Sequence, residues 1–376
     1  MMPGLHAHID PDGLEEFSVV FTDRSLNHMS GKFQDVMRDI SGMLREVYHA
    51  DAVVLVPGGG SYAMEAVARQ FCNGGHALVV RNGWFSYRWS QIIEAGGFAS
   101  EVTVVMARAD GAGARAPFSP PPIAEVVAKI HAVRPDVVFA PHVETSAGII
   151  LPDDYIAAMA AAAHAVGALV VLDCIASGCI WVDMAATGVD VLISAPQKGW
   201  SASPSAGCVM LSARAEARLA DTTSNSFTMD LKKWRAIMAA YEGGGHAYHA
   251  TMPTDALVGF RDAMAETKAF GFELAKAAQW ALGDGVRAMM AGKQIMSVAG
   301  DGFGAPGVVV CFTDDPEVQN GAKFRSAGMQ IAAGVPLQVG EGAAFRTFRI
   351  GLFGLDKLKD VPATLGRLRR VIDQVL

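Results

Sequence analysis

Two side chains suggest chemistry before any fold is assumed. Lys198 lies in the loop Ser194-Ala195-Pro196-Gln197-Lys198-Gly199-Trp200, and upstream Asp173 closes the apolar run Val170-Val171-Leu172-Asp173. A lysine amine can form a Schiff base with an aldehyde, and a carboxylate can keep a pyridine nitrogen protonated. Pyridoxal phosphate needs both. Either residue alone reads first as a solvated lysine or a helix-capping aspartate, because charged side chains are mostly exposed. The pair gains meaning only if a phosphate cradle and a ring-stacking residue accompany it.

Both have candidates upstream. In Val56-Pro57-Gly58-Gly59-Gly60-Ser61 an apolar strand runs into three glycines and a serine, and a helix follows. Glycines let backbone approach an anion closely, the helix start supplies free N–H groups, and Ser61 adds a hydroxyl. The turn lacks the Gly-Lys-Ser/Thr of a P-loop and the third glycine of a dinucleotide fingerprint. The next polar loop, Arg81-Asn82-Gly83-Trp84-Phe85-Ser86-Tyr87-Arg88-Trp89, places aromatics after a strand end, where one could stack on a planar ring. Core packing is the competing role for Trp84 and Trp89. A third loop, Pro141-His142-Val143-Glu144-Thr145-Ser146-Ala147-Gly148, offers hydroxyls for a ring oxygen.

Apolar runs and helical periods alternate between about residues 34 and 212 and must position these loops. The pattern predicts helices over 33–48, 62–71 and 123–133, and strands over 52–56, 77–80, 101–106, 136–140, 169–172, 191–193 and 208–211. Near-continuous apolar strands separated by helices imply a sheet covered on both faces, with its site beyond the strands' carboxyl ends. After Pro253 a long helical period spans 254–290. Residues 297–376 then read strand, helix, short strands, helix, with Pro316 and Asp315 marking a helix start. The expected division is an N-terminal segment (1–26), a large α/β domain (27–253) and a smaller C-terminal α+β domain (254–376).

Composition bounds the function. With 51% hydrophobic and 18% charged residues the chain is ordered and globular, and at 376 residues it can bury more than one core. A net charge of −7 with no basic cluster gives nucleic acid or an anionic membrane no footing. Five cysteines without a CxxC pair suit a reducing compartment. Residues 1–12 show no signal-peptide pattern, and no apolar stretch reaches the ~20 residues of a membrane span. A cytoplasmic location is expected. His246 and His249 have a spacing open to metal, but no third ligand lies nearby in sequence.

Taken in order, these loops identify the chain as similar to the class V pyridoxal-phosphate aminotransferases, most of all the alanine–glyoxylate and serine–glyoxylate group. Further matching stretches are Tyr248-His249-Ala250-Thr251-Met252-Pro253 and Arg349-Ile350-Gly351. The resemblance runs from about residue 27 to the C-terminus. It implies fold type I, with a mainly parallel seven-stranded sheet between helices, and a homodimer with active sites at the subunit interface. Lys198 resembles the Schiff-base lysine, Asp173 the partner of the ring nitrogen and Phe85 the stacking aromatic. Gly59, Gly60 and Ser61 resemble the phosphate cradle, with Gln197 also reaching the phosphate. Thr145 resembles the contact near the ring oxygen, and Ile175 the apolar residue on the opposite ring face. Tyr248 and Thr251 resemble the pair lent to the phosphate by the partner subunit. Arg349 resembles the guanidinium that binds the substrate carboxylate, with Arg81, Arg88 and Arg346 as competitors.

The chain also departs from the family's pattern. Gly59-Gly60-Ser61 replaces the family's Ser-Gly-Thr turn, the usual Pro-Gly-Pro opening is missing, and Trp200 follows the lysine loop where a smaller residue is usual. That tryptophan is expected to narrow or reshape the pocket. The implied activity is a ping-pong transamination from alanine or serine to glyoxylate or pyruvate. Within the fold, an aminophosphonate transaminase and a cysteine desulfurase are the rivals. Gln197 before the lysine, and Cys311 in an apolar strand, count against the desulfurase. A nicotinamide-dependent dehydrogenase, the rival of another class, lacks both the third glycine and an acidic residue at the end of strand 77–80.

Overall fold

The computed structural model describes residues 5–376; the first four residues of the expected N-terminal segment lie outside it. Seven strands build the main sheet: β1 (Ala52–Pro57), β2 (His76–Arg81), β3 (Glu101–Met106), β4 (Val137–Pro141), β5 (Leu169–Asp173), β6 (Val191–Ser194) and β7 (Ala206–Leu211). Their spatial order is β1-β7-β6-β5-β4-β2-β3. Only β7 runs antiparallel to its neighbours, pairing Ala206 with Pro57 and Cys208 with Ser194. In β4, β5, β6 and β7 every residue is buried, so both faces of the central sheet are covered, as their unbroken apolar runs require.

Helices α1 (Gly31–Tyr48), α2 (Gly60–Phe71), α3 (Trp84–Gly96), α4 (Ile123–Val133) and α5 (Asp153–Val166) connect or cover these strands. Helix α1 starts at Ser30, whose hydroxyl accepts from Phe33 N–H at 3.1 Å; this satisfies a donor that the first turn leaves free. The expected 254–290 helix is two, Thr254–Phe270 and Phe272–Gly292, broken at Gly271, whose φ of +105° a helix cannot continue. Likewise the expected helix after Asp315 is two short ones, Pro316–Gln319 and Ala322–Ser326.

A second sheet joins β8 (Val308–Phe312), β9 (Ala332–Ala333) and β10 (Thr347–Gly351) in the order β8-β10-β9. A separate apolar cluster, including Val143, Ala147, Ile149, Val308, Val310 and Phe312, fixes this sheet against the loop after β4. Gly148 sits at that junction with φ +71°, and a Cβ there would meet Val310 Cγ2 at 3.1 Å. The second sheet is thereby held over the carboxyl edge of the first. Among the described residues no helix is long and apolar enough to cross a membrane.

Candidate active site

The parallel strands β1, β2, β4, β5 and β6 all deliver their polar loops to one edge of the sheet, and β10 adds Arg349 from the second sheet. Phe85, in the first turn of α3, is the centre of the group. Its ring centroid lies 6.0 Å from Lys198 Nζ, 5.5 Å from Arg349 Cζ and 5.4 Å from Arg88 Cζ. Lys198 Nζ also lies 5.7 Å from the ring of Phe353, an aromatic after β10 that sequence reasoning did not single out. Three basic groups around one aromatic ring leave a site ready for negatively charged ligands.

Burial lowers the pKa of Lys198; Arg88 and Arg349 lower it further, and Asp173 opposes them. An amine so placed carries less of its charge and is a better nucleophile and base. Asp173 shows the complementary effect. Buried at the end of β5, its carboxyl accepts one hydrogen bond, from Ile175 N–H at 2.9 Å, and desolvation pushes its pKa up to about 6. A cationic ring nitrogen beside it would restore the ionised form. The loop after Asp173 also brings Ile175 against the glycine turn: a Cβ on Gly60 would meet Ile175 Cγ1 at 2.8 Å.

The turn itself fits an anion. Gly58 takes φ +119°, and the extended Gly59 opens α2 without a side-chain cap. Beside it, Ser205 accepts from Gly58 N–H through its backbone carbonyl at 2.9 Å, while its buried hydroxyl has no partner among the described residues. An orphaned buried hydroxyl beside a bare helix start matches a phosphate better than it matches an apolar ligand. The residues present therefore suit pyridoxal phosphate.

Helix α3 is aimed by a residue the sequence left without a role. Glu144 is fully buried and accepts five hydrogen bonds. Oε1 takes them from Phe85 N–H (3.2 Å), Ser146 N–H (3.1 Å) and Ser146 Oγ (2.7 Å), and Oε2 from Ser86 N–H (2.8 Å) and Ser86 Oγ (2.7 Å). Ser146 Oγ accepts in turn from Trp84 N–H at 3.0 Å. The carboxylate thus meets the positive end of the helix dipole and fixes the turn that presents Phe85. Gly83 is required there, since a Cβ would meet Glu144 Cγ at 2.7 Å. The helix start and the loop after β4 were separately legible, but not their union.

Other expectations are redistributed. Trp200 points away from the site: fully buried, it packs at 4.7 Å on Trp181 and at 6.0–6.4 Å on Phe272, Phe260 and Tyr48, so it builds core behind the lysine loop and does not narrow the pocket. Trp89 is core as well, 4.4 Å from Phe139. Arg346 donates to the Asp314 carbonyl at 2.6 Å, and Arg81 donates to the Gln338 carbonyl at 3.2 Å and Ser90 Oγ at 3.0 Å. Arg81 lies over Tyr87, 4.5 Å from its ring centroid, instead of over Phe85. Arg349, half-buried, is oriented by its Nε, which donates to the Ala333 carbonyl at 2.8 Å. Thr145 is buried at the same edge, and Gln197 is exposed beside the lysine. Tyr248 and Thr251 pair hydroxyl to hydroxyl at 3.1 Å on an exposed surface. His249 Nε2 meets the Phe227 carbonyl at 2.8 Å, and no group of three metal-ligating side chains occurs among the described residues.

Comparison with known proteins decides the family. The family model Aminotransferase class-V matches residues 16–315. The chain belongs to the class V aminotransferases. That family typically depends on pyridoxal phosphate and works on amino and oxo acids. Relatives include a soluble hydrogenase small subunit of Synechococcus sp. (strain PCC 6716), 26% identical over 355 residues, covering 93% of this chain and 88% of that protein. A 2-aminoethylphosphonate–pyruvate transaminase of Paraburkholderia phymatum is 29% identical over 367 residues, covering 92% and 89%. Among solved structures, an alanine–glyoxylate aminotransferase from Nostoc sp. superimposes with a TM-score of 0.78 at 21% identity over 93% of this chain and 89% of that one. It shares the fold type I architecture.

Proposed function

We propose that this aminotransferase moves the amino group of a small L-amino acid, alanine or serine, to glyoxylate or pyruvate in two half-reactions. Pyridoxal phosphate would be held by Gly59, Gly60, Ser61, Phe85, Thr145, Asp173, Ile175, Gln197 and Lys198. The observation that carries the reading is the convergence of Lys198 and Arg349 on the Phe85 ring, with Asp173 close enough to act on the lysine's charge. When bound, the cofactor supplies an electron sink for the carbanion formed at the substrate's α-carbon.

The chain's own residues do the rest. Phe85 and Ile175 would hold the cofactor's ring between them, and Asp173 would keep its nitrogen cationic. Lys198, whose burial lowers its pKa, would serve as the base that holds and moves the substrate's α-proton at its Nζ. Arg349 accepts the substrate carboxylate in a two-pronged grip that sets which bond faces the lysine. Its half-burial strengthens that grip by excluding water.

A second reading takes an aminophosphonate as donor, and the relative from Paraburkholderia phymatum favours it. A half-reaction screen separates the two. Alanine, serine and 2-aminoethylphosphonate would each be mixed with the loaded enzyme, and conversion of aldehyde to amine form followed by absorbance. Turnover with alanine or serine supports the first reading; a response to the phosphonate alone replaces it with the second.

The division at residue 254 and a homodimer complete the proposal. Tyr248 is 54% exposed, and among the described residues its hydroxyl pairs only with that of its neighbour Thr251, which suits a pair reaching into a second subunit's site. Mixing inactive Lys198→Ala and Tyr248→Phe subunits should restore activity in hybrids if each site draws on both chains. No recovery would place the pair within its own chain.

A further inference from the structure

Arg88 lies on α3, one turn beyond Phe85, and the functional reading above gives it no task. Its Nη1 donates to Ser61 Oγ at 2.8 Å, which brings the guanidinium to the start of α2. Among the described residues no carboxylate lies within ion-pair distance of it; its charge reaches Asp173 only at longer range, and the side chain is partly exposed. A guanidinium with no ion-pair partner keeps donors free for an anion, and the fork geometry of arginine suits a phosphate. Ser61 belongs to the glycine turn, Gly58-Gly59-Gly60-Ser61, where the first turn of α2 leaves N–H groups free and Gly58 N–H reaches the Ser205 carbonyl. Backbone and hydroxyl donors alone bring no full positive charge to a phosphate dianion. Arg88 would.

We infer that Arg88 is a direct ligand of the cofactor's phosphate, held over the glycine turn by Ser61. The inference rests on the reading that this site takes pyridoxal phosphate. Phosphate recognition by Arg88 predicts a property of binding, separable from catalysis. The phosphate ester should depend on Arg88, while pyridoxal, the same ring without the phosphate, should not. A second consequence is that a point charge at the same place should substitute only in part, since lysine lacks the two-pronged donor geometry.

The test uses cofactor-free full-length protein titrated with pyridoxal 5′-phosphate and, separately, pyridoxal, with absorbance as readout. Arg88→Gln should weaken the phosphate ester by roughly 10–100-fold, the range for a lost charge-assisted contact, and Arg88→Lys by less. Pyridoxal affinity should stay within about twofold, which also shows that the variant's ring site has folded. The phosphorus NMR signal of the bound cofactor should move in Arg88→Gln. Equal weakening of both ligands would overturn the inference and make Arg88 a structural residue. Unchanged cofactor affinity with a raised KM for the amino donor would overturn it in favour of a substrate contact. Wild-type protein that binds neither ligand would fail the cofactor reading itself, and the inference with it.

Discussion

Asp173 and Asp190 are buried at opposite ends of the same sheet and are served very differently. Asp190 precedes β6 at the amino edge. Its carboxylate accepts from Val170 N–H at 2.8 Å and Ser212 Oγ at 3.3 Å, meets His164 Nε2 at 2.9 Å, and has Arg214 at 3.8 Å. Asp173 ends β5 at the carboxyl edge with one hydrogen bond from its own loop and a pKa pushed up to about 6 by burial. A saturated carboxylate holds strands and loops together. An under-served one marks where a partner is missing, and that partner is the ligand. The carboxyl edge therefore gives up stability for chemistry, and the amino edge does the reverse.

The largest expected effect comes from removing the amine that the carboxyl edge presents. Lys198→Ala should lower transamination by roughly 10³–10⁴-fold or more, with little change in melting temperature. Borohydride treatment followed by mass spectrometry should find no covalent cofactor adduct. A variant that keeps the adduct would break the contrast at its root. Next, Arg349→Gln should raise KM for the carboxylate substrates by roughly 10²-fold while cofactor affinity holds. Steady-state kinetics beside a cofactor titration would show the split.

The two aspartates themselves give the sharpest test, because the same substitution should act with opposite sign. The folded-state pKa of Asp173 lies above its ordinary value of 3.8, so the folded protein holds that proton more firmly than the unfolded chain does. Its contribution to stability therefore falls as pH rises from about 4 to about 6 and stays low above that. Asp173→Asn should make cofactor-free protein more stable at pH 8, by on the order of 2–3 kcal/mol, while abolishing most activity. Below about pH 4 the gain should vanish. Asp190→Asn should instead cost about 2 kcal/mol, since donors now satisfied would face an amide, and leave the kinetic constants near wild type. Urea melts at pH 4 and pH 8 decide both, and two changes of the same sign would refute the comparison.

The loops at the carboxyl edge were readable because each carries its own signal: glycine before a helix, an aromatic after a strand, a lysine among small residues. The seven main strands were readable because burial on both faces forces long apolar runs. What escaped the sequence depends on contacts between distant segments. Trp200 follows Lys198 by two residues, yet the chain turns between them and the indole joins Trp181 and Phe272 in the core. Arg81, Arg88, Arg346 and Arg349 look alike as carboxylate binders, and only the fold separates them: Arg88 and Arg349 stand at the Phe85 ring, Arg81 lies over Tyr87, and Arg346 is tied to the Asp314 carbonyl. The break at Gly271 was missed because one glycine barely disturbs a helical period, whereas its φ of +105° ends the helix.

Glu144 offers the smallest and most local test. It is a carboxylate at the carboxyl edge that is as fully served as Asp190, so by the same logic it must hold structure, here the first turn of α3. Glu144→Gln keeps size and removes charge. One side of the amide can still accept from Phe85 N–H and the Ser146 donors, but the other now presents N–H to Ser86 N–H at a site built for an acceptor. The Ser86 hydroxyl can turn to the Gly83 carbonyl, which lies 3.0 Å away, so part of the loss is recovered. The net cost should be about 1–2 kcal/mol, with the helix-dipole contribution included. The effect should concentrate at the turn that presents Phe85. Amide hydrogen exchange should quicken at residues 84–86 before it does in β5, and cofactor affinity should drop in step, because ring stacking depends on a fixed Phe85. Global destabilisation without selective exchange at 84–86 would mean that Glu144 belongs with the core, and the carboxyl edge would then hold two kinds of carboxylate for reasons other than ligand positioning.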